Sequence, residues 1–138
     1  LIERTFSVQA GMDAVAGYDD DFYGCDPYEW MYKEGNYAYT DGENFAFFNR
    51  VQPHVYAGHY FFVSRGKEAK EIADETLRHF FETTDATVIR GMTPLQLRNA
   101  RWMSRQLGFK SFGVVNTNRG PCEMFLLYKD EYMNRIKE

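Results

Sequence analysis

Basic residues do not dominate this chain. Lys and Arg total 16 against 20 Asp and Glu, a formal net charge of -4. That balance argues against a general nucleic-acid binder, which needs a basic patch. No apolar run approaches the ~20 residues of a membrane-spanning helix, and no stretch has the form of a secretory leader. Cysteine is scarce: only Cys25 and Cys122 occur, far apart, in no CxxC pair and at no metal-ligand spacing. They read as free thiols in a reducing compartment, with a disulfide as the alternative. Internal repeats, low-complexity tracts and linkers are absent as well. The chain opens at Leu1 rather than Met, which leaves room for an upstream segment.

What is present suits one folded domain over residues 1–138. Hydrophobic residues make up 44% and charged residues 26%, the balance of a globular protein with a sizeable core. Aromatics reach 17%, so that core, and a groove beside it, should be built from Phe and Tyr.

Periodicity orders the elements. "LIERTFSV" reads as a strand. The stretch from Asp13 to Gly35 mixes short helical pieces with an acidic, aromatic loop, and Pro27 breaks any long helix there. "NYAYTDGENFAFFNRV" reads as a hairpin turning at Asp41-Gly42. "VYAGHYFFVS" is apolar on both faces, as in a central strand. Ala69, Ile72, Ala73, Thr76, Leu77, Phe80 and Phe81 then share one helical face. "ATVIR" is a short buried strand. In "TPLQLRNARWMSRQLGF", Thr93 can cap, Pro94 suits the first helical position, Gln96 completes a capping box, and Gly108 suits the helix end. "KSFGVVN" and "CEMFLLY" are two strands joined at "TNRGP", and a charged tail follows. The expected class is α/β, with a mixed sheet.

The joint Arg65-Gly66-Lys67 connects the central strand to the amphipathic helix. A helix start presents unpaired N–H groups and partial positive charge, glycine lets the backbone turn tightly, and two cations add to the field. This composition suits an anion such as phosphate or pyrophosphate. The same joint also occurs where nothing binds.

With this joint, the helix ending "LGF" and the order of elements across residues 36 to 128, the chain resembles the GNAT family of N-acyltransferases. The first strand can be included. A narrower likeness, carried by "RGKEA" and "TPLQLRNARWMSRQLGF", is to a GNAT-like branch of bacteriophages and prophages with head-assembly members. The resemblance implies a mostly antiparallel sheet flanked by helices, acetyl-CoA as cofactor and an amine as acceptor. By the family's [RQ]-x-x-G-x-[GA] loop, Arg65 takes the first position. Glu68 stands where the family has its central Gly, and Lys70 where it has Gly or Ala. Phe62, Val63, Arg65, Gly66, Lys67, Ala69, Lys70 and Asn99 are the implied cofactor-binding residues. Leu97 stands where many relatives have Asn. Ser104 stands where many have a Tyr that protonates the leaving thiolate, and it is the implied proton donor.

His59, on the central strand, is the candidate base for the amine, since its pKa can lie near neutrality. A structural His held by hydrogen bonds is the alternative. Tyr60 and Tyr128 are other proton handlers. Asp19, Asp20, Asp21, Asp26 and Glu29, interleaved with Tyr18, Phe22, Tyr23, Tyr28 and Trp30, read either as a wall for a cationic amine or as a solvated loop. Arg98, Arg101 and Arg105 fall on one helical face. They suit the 3′-phosphate of CoA, a salt bridge to acidic parts of the chain, or a partner protein. No metal site is expected: Tyr23 and Trp30 spoil a calcium loop, and His54 and His59 face opposite ways on one strand. Two functions remain open: an acetyl-CoA-dependent N-acetyltransferase of the cytoplasm, or a GNAT-derived structural module of a phage virion. Partners are then a small amine, a second copy of the chain or a virion protein, with no nucleic acid and no membrane.

Overall fold

The computed structural model describes residues 2–7, 9, 12, 26–118 and 120–136. Among them the order is β1 (Glu3–Arg4), α1 (Pro27–Tyr32), β2 (Asn36–Thr40), β3 (Phe45–Gln52), β4 (Val55–Phe61), α2 (Gly66–Thr83), β5 (Val88–Pro94), α3 (Arg98–Gln106), β6 (Lys110–Thr117), β7 (Gly120–Tyr128) and α4 (Lys129–Ile136). The strands form one sheet in the order β1-β2-β3-β4-β5-β7-β6. Every neighbouring pair is antiparallel except β4 with β5. The expected mixed, mostly antiparallel sheet is present, and β4 lies at its middle. No helix of the described residues is long and apolar enough to cross a membrane.

Strand periodicity divides the side chains between two faces. On one, Ala46, Phe48, Tyr56, Ile89, Phe125 and Leu127 meet Ala73, Leu77, Phe80 and Phe81 of α2. Phe80 is the centre of this core. Its ring stacks on Phe48 at 4.0 Å and meets Tyr37, Tyr39 and Tyr56 edge-on. On the opposite face, Ala38, Phe45, Phe47 and Phe61 pack against Trp30 and Met31 of α1. The helical face read from the spacing of Ala69 to Phe81 is the buried one, with Ile72 half-buried at its margin.

Several local expectations need correction. Thr93 and Pro94 do not start a helix. They end β5, opposite Glu123 and Cys122 of β7, and α3 begins at Arg98 without a side-chain cap. The Thr-Pro-Leu-Gln signal is real locally, but a neighbouring strand satisfies the same backbone in extended form. Only Glu3 and Arg4 are strand in the described part of the first segment. The charged tail is not a tail: it forms α4, anchored by the buried Tyr132, whose hydroxyl donates to Asp74 Oδ1 at 2.7 Å. Pro27 opens α1, behind Asp26, which accepts from the Tyr28 N–H at 2.8 Å. Cys25 and the acidic, aromatic run from Tyr18 to Tyr23 lie outside the described residues. Cys122 is a buried free thiol.

Candidate functional site

The single parallel pair is also the place where the sheet opens. β4 and β5 pair only at Val55 with Val88, Tyr56 with Ile89 and Ala57 with Arg90. Beyond that, β4 stays bonded to β3 as far as Phe61, and β5 stays bonded to β7 as far as Pro94. The strand edges Gly58–Phe61 and Gly91–Pro94 therefore face each other without a ladder, and the two halves of the sheet diverge into a notch. Backbone polar groups on these edges need partners from elsewhere. Gly58 sits at the vertex, where a Cβ would come within 3.1 Å of Ile89 Cγ2 and 3.2 Å of Phe48 Cε1.

The chain leaves β4 at this notch and turns into α2. Gly66 has φ +60, and beyond its chain neighbours and its own helix backbone nothing lies within 4 Å of where its Cβ would be. Arg65 precedes the helix in an extended conformation, and no side chain caps the first turn. The amides of an 18-residue helix thus open beside the notch. The approach is held by a residue the sequence did not single out. Asn44, buried in the β2–β3 loop, accepts from the N–H groups of Val63 at 2.8 Å and Ser64 at 3.0 Å. Its amide nitrogen donates to Asp41 Oδ2 and to Ser64 Oγ, both at 3.0 Å. Asp41 in turn accepts from the Glu43 and Asn44 N–H groups. Burial raises its carboxyl, but these bonds outweigh burial and hold it below the ordinary carboxylate value.

The other implied cofactor residues divide by environment. Arg65 is exposed and forms no ion pair among the described residues. Lys67 and Lys70 point along the helix instead, to Glu71 at 3.9 Å and Asp74 at 2.8 Å. Val63 and Asn99 are exposed, Phe62 is half-buried and Ala69 is buried under the first turn. The Val63 N–H is already taken by Asn44. Glu68 lies in the first helical turn and accepts from Ser64 Oγ at 3.4 Å, so its carboxylate stands among the free amides.

His59 is half-buried on the face of β4 that carries Phe61, opposite Phe47. Tyr60 points the other way, beneath α2, with its hydroxyl buried and without a hydrogen-bond partner. Burial first, and then the Asp74 carboxylate, push its pKa above the ordinary phenol value. Ser104 is half-buried on α3. The His54 ring lies 3.0 Å from the Asp85 carbonyl oxygen, at the end of the sheet away from the notch.

The arginines of α3 have a different occupation. Arg101 Nε donates to Glu123 Oε1 at 2.8 Å, Arg105 donates to Glu123 Oε2, and Ser111 Oγ donates to the same Oε2 at 2.5 Å. Glu123 is only 4% exposed. Of the three uses open to this stripe, Arg101 and Arg105 take the salt bridge, and Arg98 remains exposed.

No protein-family model and no curated protein matches the chain. Among solved structures, it is similar to a variant of spermidine N-acetyltransferase SpeG from Vibrio cholerae, with a TM-score of 0.79 at 10% identity, over 99% of both chains. It is also similar to AAC(6')-Ib in complex with paromomycin and acetyl-CoA, at a TM-score of 0.72 and 14% identity, over 99% of this chain and 98% of that one. A third likeness is to the aminoglycoside acetyltransferase AAC(6')-Ib with coenzyme A and kanamycin, at 0.70 and 15%, over the whole of both chains. The seven-stranded sheet with its flanking helices is the GNAT fold. At these identities the likeness is one of fold, and none of it bears on the bacteriophage branch.

Proposed function

We propose that the protein is an N-acyltransferase that binds acetyl-CoA at the start of α2 and passes the acetyl group to an amine across the notch. The observation that carries this reading is the coincidence of two openings. The uncapped start of α2, with Gly66 in the left-handed region, adjoins the unpaired stretch between β4 and β5. The first suits a pyrophosphate. The second suits an extended amide-bearing arm, which can bond to strand edges as a further strand would. Solved structures of the same fold contain coenzyme A or acetyl-CoA, which supports the assignment of the ligand.

Acetyl-CoA supplies an activated thioester when bound. The chain's own residues do the rest. Arg65 and the first-turn amides offset the pyrophosphate charge. A backbone N–H on the open edge of β4 polarises the acyl carbonyl. His59 takes the proton of the incoming amine, and Ser104 is the nearest successor to a proton donor on α3. Glu68 opposes this arrangement by placing a carboxylate among the anion-binding amides.

Calorimetric titration with acetyl-CoA tests the reading. Binding is expected in the micromolar to low millimolar range, and Arg65→Glu is expected to weaken it roughly tenfold or more through loss and reversal of charge. No heat at millimolar ligand overturns it. A second reading has its own observation. The β6 edge carries no charge from Ser111 to Thr117. It exposes Phe112 and Val114 at 53% and 60%. An unguarded edge of this kind suits an assembly module, the GNAT-derived structural protein. Stable higher assemblies in sedimentation, with no acetyl-CoA binding, support that reading.

A further inference from the structure

Arg90 is the residue that neither function yet uses. It occupies the last rung of the β4–β5 ladder, opposite Ala57, at the point where the strands part. Parallel partners share a face, so Arg90 lies with Ala57 and His59 on the face away from α2. Next on β5 on that face is Met92, and across β7 lie Leu126 and Met124. Arg90 is half-buried, and its Nε is buried without any hydrogen-bond partner. Among the described residues no ion pair reaches it. The contrast with Arg101 and Arg105, which share one buried carboxylate, is direct. A buried guanidinium nitrogen left without a partner is costly, and structures rarely keep one without a use.

We infer that Arg90 is the acceptor-recognition residue and that the amine this protein acylates carries a carboxylate. The inference rests on the N-acyltransferase reading. With the cofactor entering from the start of α2, an acceptor must approach the notch from the opposite face, the one that carries both His59 and Arg90. An arginine fork matches a carboxylate in shape and charge, and its bonds are worth more in a partly buried site than in water. The same unpaired cation disfavours polycationic acceptors such as the spermidine and aminoglycosides named for the structural neighbours.

Two measurements test this and separate its failure from that of the transferase reading. The first needs no acetyl-CoA. The 15N-labelled full chain is titrated with N-acetylglycine and with N-acetylglycinamide, and the arginine Nε–H resonances are followed. N-acetylglycine is expected to shift one resonance that is missing from the Arg90→Met spectrum, and the amide is expected to leave it in place. The second compares thiol release from acetyl-CoA with glycine and with glycinamide. The acid is expected to be preferred by about ten- to a hundredfold, the range of a charge-assisted bidentate bond. Arg90→Met is expected to bring that ratio near one, and Arg90→Lys to hold it between the two. Met keeps the stem length, and Lys provides a second fold check. A shift with N-acetylglycine but flat thiol release on every amine supports the carboxylate site and overturns the transferase. Equal turnover of acid and amide, or an Arg90 resonance indifferent to both probes, overturns the inference and leaves the transferase standing.

Discussion

The two helices that flank the notch are held in opposite ways. The 18-residue α2 buries Ala69, Ala73, Thr76, Leu77, Phe80 and Phe81 against β3, β4 and β5, while the nine-residue α3 buries none of its own residues. Beside the half-buried Met103, which packs on the core, charge ties α3 to the sheet: Arg101 and Arg105 close on Glu123 of β7, and Arg101 also donates to the Leu95 carbonyl at 3.0 Å. One wall of the notch is therefore a packed apolar layer. The other hinges on a single buried carboxylate. Apolar packing is non-directional and insensitive to pH, whereas a paired carboxylate is directional and acid-sensitive. The two walls should respond to different insults.

The largest expected effect strikes the packed wall. Phe80 meets five aromatic rings around it, so Phe80→Ala leaves a cavity among groups that cannot collapse onto it. A loss of about 3–5 kcal/mol is expected, measured from the urea midpoint at constant slope. A loss below ~1 kcal/mol would show that the aromatic layer is not the main support of α2.

Next in size comes Glu123. Breaking a fully buried ion pair costs about 3–5 kcal/mol. Here Arg101 and Arg105 keep side-chain exposures of 29% and 47%, so Glu123→Ala should cost about 2–3 kcal/mol. Hydrogen exchange should rise in α3 and β6 while α2 stays protected. The pH dependence follows from the same group. Burial pushes its carboxyl up, but the Ser111 hydroxyl and the two arginines outweigh burial and hold it below the ordinary 4.5. The unfolded chain then binds this proton more readily than the folded one. The stabilisation is fully present above pH 4.5 and is lost as pH falls through the lowered folded value. Glu123→Gln should remove this part of the acid sensitivity, and an unchanged acid limb of the stability curve would refute the assignment.

The same contrast explains which parts of the fold were legible. The buried face of α2 follows from helical spacing because its burial is local and periodic. The end of α3 was equally readable, since Gly108 takes φ +99 and the Phe109 N–H bonds back to the Ser104 carbonyl at 3.0 Å. The start of α3 was not. Thr93 and Pro94 obey a pairing with β7 that lies some thirty residues on, and no capping pattern reports that. α4 was hidden for a similar reason, because Tyr132 finds Asp74 across 58 residues. At the site, the sequence located the joint at Arg65-Gly66-Lys67. Asn44, which holds the joint, and Arg90, at the last rung before the notch, take their places from tertiary pairing and carry no local signal.

Asn44 should give an intermediate, local effect. Asn44→Ala strands the Val63 and Ser64 N–H groups and frees the β4–α2 connection, at about 1–3 kcal/mol. Unlike Phe80→Ala, it should weaken acetyl-CoA binding more than the stability loss alone accounts for, because the turn proposed to bind the pyrophosphate loses its anchor. Amide exchange at Val63 and Ser64, compared with Leu77 in the middle of α2, would show whether the loosening stays at the turn.

The smallest effect is the most informative about the packed wall's open end. Glu68 adds a favourable interaction with the helix dipole, about 0.3–1 kcal/mol at an exposed first turn, and its bond from Ser64 adds little at 3.4 Å. Glu68→Gln should therefore lower the melting temperature slightly. If a pyrophosphate docks on these amides, removing the like charge should tighten acetyl-CoA several-fold, an effect that shrinks as salt is raised. The carboxylate thus stabilises the free protein at the expense of the ligand, and the two readouts should move in opposite directions. Unchanged affinity with the same small stability loss would place the cofactor's charge away from the start of α2, leaving the notch without its anion site.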